Sequence, residues 1–271
     1  MDDNQDYWQR QDPDKPLYPD MLWARPEQRS LGGKLLIIGG HKNSFALVAK
    51  AYETAQQAQA GSLHVLLPDT LKKTVENFLP VASYASSNIS GSYAQSALDI
   101  FLLDSDWADG VLLAGDFGKN SETAIVIEKF VQKYKGRLLM SDDAIDFNLH
   151  SPLPILDRVD TTLVLSLSQF QQIYTSLHPS VAITSKMGLT PLVNILHKFT
   201  LEHPVNILVG YDDMIVVASN GQVDSIMQPS GKPIELTKVA SHAAVWWIQN
   251  PAKVFEALSC AVISYTRLQN Q

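Results

Sequence analysis

Four aspartates, Asp116, Asp142, Asp143 and Asp146, stand where the chain turns after two apolar runs. Clustered carboxyls can hold a hard cation or share one proton, which raises the pKa of one member. In crowded turns the same residues also serve as caps and solvated loop positions. His41-Lys42-Asn43-Ser44 sets an imidazole, an ammonium and two short polar side chains at a strand-to-helix turn. That is a place to hold a phosphate or another anionic group, although Asn43 or Ser44 could simply cap the helix. Ser241-His242 joins the residue types of a nucleophile and a base. Neighbours on a helix point about 100° apart, so the two do not pair readily, and no third member is evident. A helix cap and a surface imidazole are the plainer reading. Gly39, Gly40, Gly115 and Gly118 suit tight turns. No Walker motif, zinc-ligand spacing or nucleophile elbow is present.

The elements that must position these residues alternate. Lys34–Ile38 is an almost wholly apolar run, as expected of a strand buried on both faces, and Phe45, Val48, Ala49, Tyr52 and Ala55 follow at helical spacing. Leu63–Leu67, Asp109–Ala114, Arg137–Ser141, Thr162–Ser166 and Val205–Val209 read as further strands. A helix begins at Asn120 or Ser121 and stops at Gly136, and another runs from about Pro191 to Leu201. Asn220-Gly221 between Met214–Ser219 and Gln222–Gln228 signals a hairpin that ends the sheet. Two helices close the chain, near Ala240–Gln249 and Pro251–Gln269. Alternation of this kind implies right-handed crossovers and a mostly parallel sheet covered on both faces. Ligands then bind beyond the carboxyl ends of the strands, at Gly39–Ser44, Gly115–Ser121, Asp142–Asp146 and Ser166–Gln169.

Residues 1–30 form a polar arm with prolines at 13, 16, 19 and 26, and residues 31–271 form a single domain. Those prolines exclude a regular helix or central strand across the arm, yet Trp8, Tyr18, Leu22 and Trp23 suit a segment lying on a surface, of its own domain or a neighbouring subunit. A net charge of −7 disfavours nucleic acid as a partner. The lone Cys260 excludes an internal disulfide and reads as a small buried hydrophobe in a reducing compartment. With no apolar span and no leader pattern, the expectation is a cytoplasmic protein away from membranes.

Taken in order, these segments resemble the ADP- or ATP-dependent NAD(P)H-hydrate dehydratases of the ribokinase-like superfamily. Arg29-Ser30-Leu31-Gly32-Gly33-Lys34 leads into Ile37-Ile38-Gly39-Gly40-His41, as the family's basic-glycine stretch leads into Gly-Gly-Ser. Ala114-Gly115-Asp116-Phe117-Gly118 stands for its Gly-Pro-Gly-Leu-Gly loop. Ser141-Asp142-Asp143-Ala144-Ile145-Asp146 stands for Asp-Ala-Asp-Ala-Leu-Asn, and Phe255-Glu256-Ala257-Leu258 for Phe-Glu-Ala-Ala. The resemblance implies a three-layer α/β/α ribokinase-like fold with a mostly parallel sheet and a C-terminal antiparallel hairpin. It implies nucleotide-dependent dehydration of hydrated NAD(P)H, with ADP or ATP and magnesium as cofactors, in a homo-oligomer. The implied nucleotide or substrate set is Gly39, Gly40, His41, Lys42, Gly115, Asp116, Gly118, Ser166, Gln169, Gly210, Ser241 and His242.

Departures from the family pattern fall on its chemistry. The Gly-Thr/Ser-Gly-Asp hallmark corresponds to Val239-Ala240-Ser241-His242, without glycine or Asp. The magnesium-organising Asn-x-x-Glu corresponds to Ser166-Leu167-Ser168-Gln169, and the family's Lys-Gly to Val209-Gly210. Asp143 is the acid left to replace the lost one. Three function classes follow: a divergent dehydratase-like protein with chemistry reduced or lost, a non-catalytic sensor or assembly subunit with Trp246 or Trp247 filling the pocket, and a small-molecule kinase.

Overall fold

The computed structural model describes residues 6–26, 28–180, 183–184, 186–229 and 231–269, so residues 1–5 and 27 of the arm lie outside the described residues. After β1 (Trp8–Gln11) and the short α1 (Pro19–Trp23), the chain alternates strands and helices. The strands are β2 (Lys34–Ile38), β3 (Ser62–Pro68), β4 (Ala82–Ala85), β5 (Gly110–Leu113), β6 (Arg137–Met140), β7 (Thr161–Ser166) and β8 (Val205–Tyr211). A hairpin of β9 (Met214–Ser219) and β10 (Gln222–Met227) turns at Asn220-Gly221, both at positive φ as such a turn requires.

One ten-stranded sheet results, in the order β1-β10-β9-β8-β7-β6-β5-β2-β3-β4. Only β9 runs against its neighbours. Alternate strand residues face opposite sides, so Leu36 and Ile38 enter one core while Leu35 and Ile37 enter the other. Against the first face pack α4 (Ala97–Ser105), α5 (Ser121–Lys133), α8 (Leu167–Leu177) and α9 (Leu189–Glu202). Against the second pack α2 (Ala46–Gln57), α10 (Leu236–Gln249) and α11 (Val254–Gln269). The chain therefore has the three-layer arrangement that the alternating pattern implies. Asn120 caps α5, its side chain accepting from the Glu122 and Thr123 N–H groups, a device worth about 1 kcal/mol.

Several boundaries differ from the sequence reading, among them the end of α5, which lies at Lys133 and not at Gly136. The sheet does not end in the hairpin, because β1 pairs in parallel with β10 beyond it. Its Trp-Gln-Arg-Gln segment precedes Pro13, so no proline interrupts the ladder. Helix α10 starts at Leu236, a full turn before Ala240. Pro251 sits in the turn before α11 rather than in its first turn.

The arm lies on its own domain. Tyr7 stacks on His197 at 3.7 Å and donates to Asn194 at 2.6 Å. Trp8 donates to Ser225 at 3.0 Å, and the Gln11 amide donates to the buried Asp224. Cys260 is buried in α11 beneath it. Among the described residues no helix is long and apolar enough to cross a membrane.

Candidate functional site at the carboxyl ends of the strands

The ends of β2, β5, β6 and β7 converge as the parallel topology requires. Gly39 follows β2, and a Cβ there would lie 2.0 Å from the Ala114 carbonyl oxygen, so only glycine lets the ends of β2 and β5 approach. The Tyr93 hydroxyl donates to the Gly39 carbonyl at 2.8 Å and braces the same crossing.

Beyond β5 and β6 the acidic residues meet. Asp142 has φ +54° and ψ −132°, a conformation that glycine favours, and holding it there costs roughly 1–3 kcal/mol. Three donors fix it: the Gly115 N–H, the Ser141 hydroxyl and the Thr237 hydroxyl all reach Asp142 Oδ2 at 2.9 Å. Asp143 accepts from the Phe117 N–H at 2.9 Å, and Asp116 accepts from the Gly118 N–H at 2.9 Å. The loop that should offer N–H groups to a phosphate thus has three of them bound to the chain's own carboxylates.

His41 reaches Asp116 through Nε2 at 3.0 Å, while its Nδ1 accepts from the Asn43 N–H at 3.4 Å, which fits the tautomer protonated at Nε2. Burial works to raise the Asp116 carboxyl, but the Gly118 N–H and His41 outweigh it and hold Asp116 low. Asp143 moves the other way, pushed up by burial and by the neighbouring Asp116. One carboxyl is favoured as an anion and its partner as an acid, the division of labour that proton transfer uses.

The remaining sequence candidates divide. Ser166 and Gln169 form a capping box on α8, and the Gln169 amide also donates to Asp146 at 2.7 Å. Both are engaged within the protein. Gly40 accompanies Gly39, and Gly210 lies beneath Leu236 at the start of α10. Lys42 is exposed, with its N–H on the Gly91 carbonyl at 2.9 Å. Neither Asn43 nor Ser44 caps α2, whose N-cap is Phe45. Ser241 and His242 are not at the site. Both are buried within α10, Ser241 donating to the Thr237 carbonyl at 2.9 Å, because the helix starts a turn earlier than the apolar pattern suggests. Burial, and then Arg25, push His242 down to about 3, so it is a neutral core imidazole rather than a surface one.

Thr237 is the site residue that sequence reasoning missed. It stands in the first turn of α10, beside Glu235, which forms ion pairs with Lys50 and with Lys238 (2.6 Å to the latter). These charged residues occupy the start of α10. Among the described residues no group of three or more His, Cys, Asp or Glu side chains is arranged to hold a metal ion. With a neutral amide at Gln169, the donor set does not fit magnesium. Further along the same edge, a cavity of about 370 Å³ is walled by Trp8 and Arg10 of the arm, by Leu189 and Thr190 of α9, and by Met214 and Met227.

This sheet order, with its strand-end site, defines a ribokinase-like fold. A ribokinase-like superfamily protein from Enterococcus faecalis has the same fold with a TM-score of 0.72 at 14% identity, over 97% of this chain and 87% of that one. A hypothetical protein from Streptococcus mutans gives 0.73 at 14% identity, over 96% and 90%. The ADP/ATP-dependent NAD(P)H-hydrate dehydratase from Bacillus subtilis, co-crystallised with ATP and Mg2+, gives 0.64 at 10% identity, over 93% and 87%. No family model matches the chain, and no curated protein matches it.

Proposed function

We propose that this protein is a divergent NAD(P)H-hydrate dehydratase-like protein that binds a nicotinamide nucleoside through its hydroxyl groups and has lost phosphoryl transfer. The observation that carries this reading is the occupation of the Gly115, Phe117 and Gly118 N–H groups by Asp142, Asp143 and Asp116. Carboxylates accept from ribose hydroxyls and repel phosphate, so the same edge that holds a nucleotide phosphate in an open glycine loop here favours a polyol. Asp143, whose carboxyl burial and Asp116 push up, is the side chain to which we assign any proton transfer.

Calorimetric titration with ADP, ATP, NADH and NADPH, with and without magnesium, tests this reading. NADH or NADPH should bind without help from magnesium, and hydrated NADPH should not turn over at a rate that magnesium and ATP stimulate. Magnesium-dependent ATP binding with turnover would overturn it.

A second reading, a non-catalytic sensor or assembly subunit, draws support from the Lys50–Glu235–Lys238 cluster, which ties α2 to α10 where a ligand would enter. Absence of heat with all four nucleotides, in protein shown to be folded, would favour it. A kinase reading has neither an open anion loop nor a magnesium donor set behind it.

A further inference from the structure

We propose that the cavity between the arm and the two C-terminal helices binds a small organic anion with a single-ring body. The cavity holds about 270 Å³ and is lined by Leu22, Arg25, Gln59, Trp246, Ser264 and Arg267, among others. Trp246 lies nine residues beyond Thr237 on α10, about 14 Å along the helix at 1.5 Å per residue. The cavity is therefore separate from the strand-end site, and the inference does not rest on the reading given for that site.

Two guanidiniums face this space. Arg25 lies 4.1 Å above the Trp246 indole and donates to the Ala58 carbonyl. Arg267 donates to the Pro13 carbonyl through Nε and Nη2, at 3.0 and 2.7 Å. Among the described residues neither forms an ion pair with a carboxylate. A guanidinium carries five N–H donors, so most of this capacity is open among the described residues.

Arg25 Nε and the Trp246 indole nitrogen, on two of the lining residues, are buried and have no partner among the described residues. Buried donors are satisfied in the great majority of proteins, and two orphans side by side leave this corner of the fold short of an acceptor. Burial pushes Arg25 down to about 10, and among the described residues no carboxylate offsets that cost. An anion would supply both the charge and the acceptor oxygens. Leu22, Leu268 and the indole give an apolar wall for the rest of the ligand. The volume falls just under the range of roughly 300–1,000 Å³ typical of ligand pockets, which selects a single ring over a nucleotide.

The test is calorimetric titration of the full chain with benzoate and with phenyl phosphate, beside inorganic phosphate as the ring-free control. Saturable binding of either aryl anion is expected, weaker by about tenfold or more in Arg267→Gln, whose side chain is exposed. Ser264→Trp, which fills the cavity and removes no charge, should abolish it. Circular dichroism and melting of both variants establish that they are folded. No heat with either aryl anion at millimolar concentration would overturn the proposal. So would equal affinity in Ser264→Trp, or inorganic phosphate binding as tightly as phenyl phosphate.

Discussion

Replacing Asp224 with asparagine should stabilise this protein at pH 8 and change it little at pH 4. Asp224 sits on β10 with none of its surface exposed, and its Oδ1 has no hydrogen-bond partner. Burial pushes its carboxyl up from 3.8 to about 6, and the Gln11 amide only partly offsets this. The sign follows from linkage: a carboxyl raised in the folded state contributes stability below pH 3.8, which is lost as the pH rises through 6. A shift of this size costs the folded protein about 3 kcal/mol above pH 6, at about 1.4 kcal/mol per pH unit. Asparagine keeps an oxygen for Gln11 and carries no charge, so Asp224→Asn should recover about 1–3 kcal/mol at pH 8. For a chain of this length that raises Tm by about 3–10 °C. Thermal melts of both proteins at pH 4 and pH 8 decide the matter. A variant no more stable at pH 8, or one that gains as much at pH 4, would refute the reasoning.

Other consequences are as concrete. His242, held down to about 3 by burial and Arg25, lends stability above pH 6.5 that is lost as the pH falls toward 3. Its ring proton resonances should therefore not titrate between pH 8 and pH 5, and movement there would contradict its placement in the core. Asp142→Ala should destabilise by about 2–4 kcal/mol in urea melts, since three donors lose their acceptor and the positive φ remains. Asp142→Gly should cost about 1 kcal/mol less, because glycine accepts that backbone. Gly39→Ala should cost about 3 kcal/mol or prevent folding, since its Cβ would meet a backbone oxygen. Gly188→Ala, whose Cβ has nothing nearer than 3.9 Å, should fall within about 0.5 kcal/mol of wild type.

How far the sequence discloses this depends on what fixes each feature. Strand β2 has the bounds that its apolar run marks, and β5, β6 and β7 lie within a residue of theirs. Buried parallel strands need continuous apolar side chains, and that requirement is local. Once the alternation is read, the strand-end positions follow from topology, and Gly39, His41, Gly115, Asp116 and Asp143 do gather there. Strand β4, Ala-Ser-Tyr-Ala, escapes because an edge strand needs little apolar character. The start of α10 escapes because Glu235, Thr237 and Lys238 look like loop residues. Their ion pairs, and the Thr237 bond to Asp142 from 95 residues away in sequence, fix the helix. The occupation of the glycine loop by carboxylates is the least legible feature of all. It depends on the backbone of Asp142, and no residue pattern announces a positive φ in an aspartate.

The central claim is that the strand-end site receives hydroxyl groups and not phosphate. Titration of the wild-type protein with reduced nicotinamide riboside and with its 5′-phosphate tests it most directly. The account predicts that the riboside binds as tightly as the phosphate ester or more tightly, and that Asp116→Asn weakens both equally. If the phosphate adds tenfold or more in affinity, equivalent to about 1.4 kcal/mol, the loop offers its N–H groups to the ligand after all and the account is wrong.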